Sequence, residues 1–160
     1  MYSLRLFAVR HARVYEILYN LFDPFFQALE PMWRAIGYER VEKPVAALET
    51  VIKGLLFDCQ MCGRCLLSAT GMACPMNCPK VMRNGPCGGV RPNGNCEIKE
   101  EMRCVWVEAW EGSEKMHSGN GIDTVQIVLD QDIKSTSSWL RLVREKRHAT
   151  IAVKASEAAK

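Results

Sequence analysis

All eight cysteines of this 160-residue chain fall between residues 59 and 104, and none lies outside that stretch. The surrounding segment is dominated by glycine, proline and asparagine, as in "RNGPCGGVRPNGNC" at 83–96. Turn signals recur there at Asn84-Gly85, Gly88-Gly89 and Asn93-Gly94. Such a segment has too few large apolar side chains to close a hydrophobic core of its own. It must be held either by bonds between sulfurs or by sulfurs bound to metal, where ligation free energy acts as folding free energy.

The rest of the chain favours metal. The opening "MYSLRLFAVRHARVYE" is interrupted by Arg5, Arg10 and Arg13, so it reads as a helix that stays and not as a secretory signal. A cytoplasmic location is therefore expected, and structural disulfides are rare in reducing compartments. No apolar run approaches the ~20 residues needed to cross a bilayer, so no membrane insertion is expected. Hydrophobic content of 48% is ordinary for a soluble domain. A net charge of +3 is too small to argue for a nucleic-acid groove, and 3 histidines argue against a histidine-rich catalytic metal site.

The spacing Cys59-x-x-Cys62-x-x-Cys65 carries the most information. Three thiolates at this interval can curl round one corner of an iron–sulfur cubane, each meeting a different iron. Bacterial ferredoxins add a Cys-Pro that serves a second cluster. Here Cys74-Pro75 and Cys78-Pro79 both occur, further downstream than in a ferredoxin, so the ferredoxin ligand assignment does not transfer. Eight thiols suffice for two four-thiolate sites. One would take the front triplet and a later cysteine, the other the remainder of Cys74, Cys78, Cys87, Cys96 and Cys104; the spacing leaves open which later cysteine closes which site. Two [4Fe-4S] clusters are the first expectation. Tetrahedral zinc also uses Cys-x-x-Cys knuckles, usually two from each of two, which leaves the third cysteine of the triplet surplus. One cluster plus zinc, or zinc only, stay open as alternatives. Glycines 85, 88, 89 and 94 suit close backbone wrapping with N–H groups aimed at sulfur.

The expected fold is mostly α with irregular metal-stabilised loops: a helical N-terminal segment plus a cysteine-rich iron–sulfur module, ferredoxin-like in ligand spacing. Residues 1–56 read as a helical partner-docking segment, 57–112 as the metal-binding module, and 113–160 as a linker with a strand and helix extension. In the first segment Leu4, Phe7, Ala8, His11, Val14, Tyr15, Leu18, Leu21 and Phe22 recur at helical spacing, as core or as a docking face. Asp23-Pro24 reads as an N-cap and first helical position, opening a short helix that breaks near Pro31. A further helix starts at Pro44, with Val45, Leu48, Val51, Ile52 and Leu55 inward. Residues 102–110 could form a helix with Trp106 and Trp110 one turn apart. Residues 112–121 read as a polar linker, "IDTVQIVLD" as a short strand, and "STSSWLRLVREKRH" as a capped helix burying Trp139, Leu140 and Val143. The tail "VKASEAAK" reads as frayed. Trp106, Trp110 and Trp139 are taken as packing residues, His11 as a satisfied structural histidine, and Arg141, Arg144 and Arg147 as a solvated face. No nucleophile–base pair, phosphate loop or paired-carboxylate signature occurs, so no catalytic residue is assigned.

At "LFDCQMCGRCLLSATGMACPMNCPKVMRNGPCGG" the chain resembles the methylenetetrahydrofolate reductase C-terminal domain family, the cysteine-rich small partner of bacterial methylenetetrahydrofolate reductases. The resemblance is specific over 56–97, and "CVWVEAW" and "TSSWLRL" also look familial. It implies a heteromeric flavoenzyme whose TIM-barrel subunit binds FMN or FAD and interconverts 5,10-methylene- and 5-methyltetrahydrofolate. It further implies that the small subunit passes electrons through metal clusters held by all eight cysteines, with a further electron-transfer protein as a possible external partner. A zinc-binding assembly subunit of the same complex, without a redox role, is the alternative.

Overall fold

The computed structural model describes residues 2–158, with side chains described for 2–119 and 121–152. It is mostly helical. Helix α1 spans Tyr2–Arg10, α2 Ala12–Ala28, α3 Glu30–Ile36, α4 Tyr38–Phe57, α5 Val105–Ser113 and α6 Ser138–Ala158. Among the described residues the β structure amounts to isolated antiparallel bridges, Val90 with Cys96 and Asn95 with Arg103.

The N-terminal helices form where the periodicity places them, but the stripe is split: Ala8 is buried and Tyr15 and Phe22 pack on buried clusters, while the rest of it lies outward. Leu4, Phe7, Val14, Leu18 and Leu21 are exposed, as are Leu48, Val51, Ile52 and Leu55 on α4. What α1 and α2 bury is Arg5, Ala8, Val9, Ala12, Glu16 and Phe26, and α4 buries Val41, Ala46, Glu49, Lys53 and Phe57. The small alanines let the backbones approach, and the buried charges are paired. Arg5 meets Glu108 at 3.2 Å. Glu16 accepts hydrogen bonds from His117 N–H at 2.6 Å and Ser118 N–H at 2.8 Å. The stripe expected to be core on α4 is therefore an outer face, because intramolecular packing is taken up by the narrower side that carries small and ion-paired residues.

The helix boundaries also differ from those expected. Pro24 lies inside α2 and Pro44 inside α4, so neither opens a helix. Pro31 does sit in the first turn of α3. A proline is tolerated within a helix when neighbouring packing outweighs its missing N–H and ring clash.

The first buried cluster joins Ala8 and Ala12 of α1 and α2 with Phe57, Leu67, Met72, Cys74 and Met116. A second joins Val9 with Ala73, Val105, Trp106 and Ala109. A third seats Leu140 and Val143 of α6 on Phe26 and Val41, with Trp139 against it, as the sequence pattern indicates. The region after α5 is not a loose linker. Gly112, Ser113 and Met116 are buried, and 119–123 make a 3-10 turn packed on α5. Backbones touch here: a Cβ on Gly112 would lie 2.0 Å from the carbonyl oxygen of Gly71. Gly112→Ala is thus expected to destabilise the protein by about 1–3 kcal/mol through overpacking, read as a fall in the denaturant midpoint.

"IDTVQIVLD" is an extended strap and not a strand; Val125, Ile127 and Val128 are largely exposed. It has no neighbouring strand to complete a ladder. It is pinned by side chains instead, with Asn84 donating to Gln126 O at 2.9 Å and accepting from Gln126 N–H at 2.7 Å. Helix α6 runs on to Ala158, past the point where the tail reads as frayed, and 159–160 lie outside the described residues. The expected solvated arginines of α6 make ion pairs: Arg144 with Glu42 at 2.9 Å and Arg147 with Glu30 at 3.3 Å. His11 is exposed and bonds Phe7 O at 2.9 Å. Trp106 is packed and donates to Met82 O at 3.0 Å, whereas Trp110 is 54% exposed. No helix among the described residues is long and apolar enough to cross a membrane.

Candidate metal centre

The end of α4 aims the chain into the cysteine segment. Asp58 takes a left-handed conformation (φ 53°, ψ 47°), and its N–H bonds Gly54 O at 3.1 Å. This C-terminal turn places Cys59 directly beyond the helix. The three front cysteines then wind round one point, with Gly63 at φ +75° pressed against the Ile133 backbone. A Cβ at Gly63 would lie 2.2 Å from Ile133 O, so only glycine allows the turn between Cys62 and Cys65.

Cys59, Cys62, Cys65 and Cys74 line one cavity, together with Met61, Met76, Lys53 and Arg83. Cys74, carried by the 66–74 turn, lines this cavity with the triplet, whereas Cys78, Cys87, Cys96 and Cys104 do not. The two neighbouring thiols act on each other, which lowers the pKa of Cys59 to about 7 and, with burial, raises that of Cys74. Met61 N–H donates to Cys59 Sγ at 3.4 Å, and Arg83 Nη1 donates to Cys62 Sγ at 3.5 Å. Tyr19 Oη pairs with Cys65 Sγ at 3.9 Å. Burial acts to lower the pKa of Lys53, but Cys65, Tyr19 and Glu49 outweigh it and hold the ammonium well above its usual value.

The donor set fits a thiolate-ligated group. Four soft sulfurs share one cavity, and two buried cations stand by to offset their negative charge. The enclosed space measures only about 20 Å³, room for about one water. Among the described residues, no three His, Cys, Asp or Glu side chains form a group that could hold a single metal ion. A lone zinc needs its sulfurs about 2.3 Å from one point, whereas a cubane places each thiolate on a different iron.

The other four cysteines occupy the opposite side of the segment. Cys78 and Cys104 pack against the Val105–Trp106 cluster. Cys96 is buried on its bridge to Val90, and Cys104 N–H bonds Gly94 O at 3.0 Å. Cys87 is exposed; its sulfur accepts from Gly89 N–H at 3.4 Å and lies 3.9 Å from Glu97. Of the glycines there, Gly89 points its N–H at a sulfur as expected, whereas Gly85, Gly88 and Gly94 take positive φ in open turns with nothing packed against them. All eight cysteines are free thiols, with no cystine among them.

A family model described as "Methylene-tetrahydrofolate reductase C terminal" matches residues 38–132. The chain belongs to this family. The match takes in α4, the whole cysteine segment, α5 and the strap; "TSSWLRL" and α1–α3 lie outside it. No curated protein and no solved structure is matched by the chain. Within the family segment, the charged residues lining the cavity that were not legible from the sequence include Lys53 and Arg83. Neither has a motif; a signal for Lys53 existed only in its place one helical turn after Glu49.

Proposed function

We propose that this chain is the iron–sulfur electron-transfer small subunit of a heteromeric methylenetetrahydrofolate reductase-type enzyme. Its eight cysteines hold two [4Fe-4S] clusters, and its partner is a TIM-barrel subunit that binds FMN or FAD. The observation that carries this reading is the gathering of Cys59, Cys62, Cys65 and Cys74 into one cavity beside two buried cations. Bound clusters take one electron each, so they let a two-electron flavin exchange electrons with a one-electron carrier. The residues of this chain hold the thiolates, exclude water with Leu66, Leu67 and Pro75, and offset charge with Lys53 and Arg83. Cys78, Cys87, Cys96 and Cys104 form the second ligand set.

A surface for the large subunit is also at hand. Tyr15, Leu18, Leu21, Phe22, Phe25 and Ile52 line an apolar groove of about 630 Å³ on the outer side of α2 and α4. The exposed apolar side chains that continue from it on α2 and α4, Leu18, Leu21, Phe25, Leu48, Val51 and Leu55 among them, support a subunit role.

A zinc-ordered assembly subunit without a redox role is the second reading, favoured by the small volume, about 20 Å³, of the cavity that the four cysteines line. Metal analysis separates the two. Anaerobic co-expression with the large subunit is expected to yield a brown complex whose broad visible absorption bleaches on reduction, with iron and acid-labile sulfide in equal amounts. A colourless complex with stoichiometric zinc and no iron would establish the second reading and remove the first.

A further inference from the structure

Arg83 is only 8% exposed. Its Nη1 faces Cys62 Sγ at 3.5 Å and Met76 Sδ at 3.8 Å. Nη2 donates to Arg64 O at 3.0 Å and Nε to Ile127 O at 3.3 Å. Those two carbonyls fix the guanidinium in place whatever the cavity holds. Among the described residues Arg83 makes no ion pair with a carboxylate, while every ion pair there is accounted for by other cations. A guanidinium does not lose its proton in a protein. A fixed positive charge is thus buried against two carbonyls and two sulfurs with no carboxylate at ion-pair distance, an arrangement that is costly unless the Cys62 sulfur is negative.

Lys53, 1% exposed, lines the same cavity. Its carboxylate, Glu49, is shared with Ser137 Oγ, Ser138 Oγ and Trp139 N–H at the start of α6. Glu49 lines the cavity as well and balances Lys53, which leaves Arg83 as the cation there without a carboxylate. The charge count of a four-thiolate cluster completes the picture. Four RS⁻ around an oxidised [4Fe-4S]²⁺ core carry a net charge of about −2, and one added electron makes it about −3 with no proton required. A fixed cation favours the more negative form.

We propose that Arg83 is the built-in counter-cation of the Cys59/Cys62/Cys65/Cys74 centre and raises its reduction potential. Arg83 is a positioning residue: it acts on the cluster through Cys62 and the field in the cavity, not by ligation. The inference rests on the iron–sulfur reading above.

The test is an anaerobic spectroelectrochemical titration, with dithionite as reductant, of the full chain together with any subunit that co-purifies. Wild type, Arg83→Gln and Arg83→Lys are compared. At an ambient potential equal to the wild-type midpoint, Arg83→Gln is expected to lower the reduced-to-oxidised ratio of one redox wave about tenfold, a downward shift of about 59 mV for one electron. The other wave stays where it was, and Arg83→Lys stays within about threefold of wild type. Loss of the cluster in the glutamine variant but not in the lysine variant also supports the proposal, because charge alone separates them. An unmoved wave in a brown, fully loaded Arg83→Gln protein overturns it, as does equal cluster loss in both variants, which would mark a purely structural role. Colourless wild-type protein instead overturns the iron–sulfur reading itself, and this inference with it.

Discussion

Cys74→Ser is expected to remove one entire cluster, about half of the bound iron, from the anaerobically purified protein. The four sulfurs of the first cavity act together, and a cubane deprived of one thiolate is held by an incomplete set. The informative comparison is with Cys62→Ser and with the double variant. If Cys62 and Cys74 serve one cluster, the double variant loses no more iron than either single one, because residues acting as a unit are not additive. Cys104→Ser is expected to deplete the other half, and its loss should add to that of Cys74→Ser. Additive loss between Cys62 and Cys74 would mean that Cys74 serves the other centre and that the partition drawn from the cavity is wrong. Because ligation holds the core-poor segment in shape, each loss should also raise the protease sensitivity of residues 57–104.

A second large effect is expected where no metal is involved. Glu49 is 1% exposed and accepts from Lys53 Nζ at 2.7 Å, Ser138 Oγ at 2.5 Å, Ser137 Oγ at 2.7 Å and Trp139 N–H at 3.3 Å. Its carboxylate therefore caps the N-terminus of α6, where the helix dipole favours negative charge. It also answers the buried ammonium of Lys53. Glu49→Ala removes both partners at once and leaves a buried cation with one neutral hydroxyl. Breaking a buried pair in this way typically costs about 3–5 kcal/mol, against a total stability on the order of 5–15 kcal/mol for a domain of this kind. Urea denaturation should show a midpoint displaced by a large fraction of its wild-type value. Glu49→Leu combined with Lys53→Met should recover much of the loss, since a matched apolar pair leaves no charge behind. A midpoint shift worth less than about 1 kcal/mol in Glu49→Ala would show that the network contributes little.

Both effects start from α4. One turn of this helix presents Glu49 to α6, the next presents Lys53 to the thiol cavity, and its last residue, Phe57, sits in the first core cluster. The side of α4 bearing Leu48, Val51, Ile52 and Leu55 is left outward. Periodicity shows correctly that an apolar stripe exists on a helix there. It does not show whether that stripe meets the rest of this chain or another one, because the same residues at the same spacing serve both cases. The strap at 124–130 departs from its expected form for a related reason. Alternating apolar residues mark a strand only if a neighbouring strand is present to accept the ladder, and here the neighbours are the side chains of Arg83 and Asn84.

What the amino-acid order settled alone was local or compositional. Eight thiols in a stretch with no core of its own, the triplet at 59, 62 and 65, and family membership can be read without coordinates, because ligand spacing is a property of adjacent residues. What only the folded chain decided was long-range. Cys74 reaches the triplet's cavity because Leu67 and Met72 bury the turn that carries it; Lys53 and Arg83 reach the cavity from separate parts of the chain; and the N-terminal helices bury Arg5, Glu16, Glu49 and Lys53 among small and aromatic residues while many of their large aliphatic side chains stay out. These outcomes depend on which surfaces find complementary partners across the molecule, and no window of neighbouring residues contains that information.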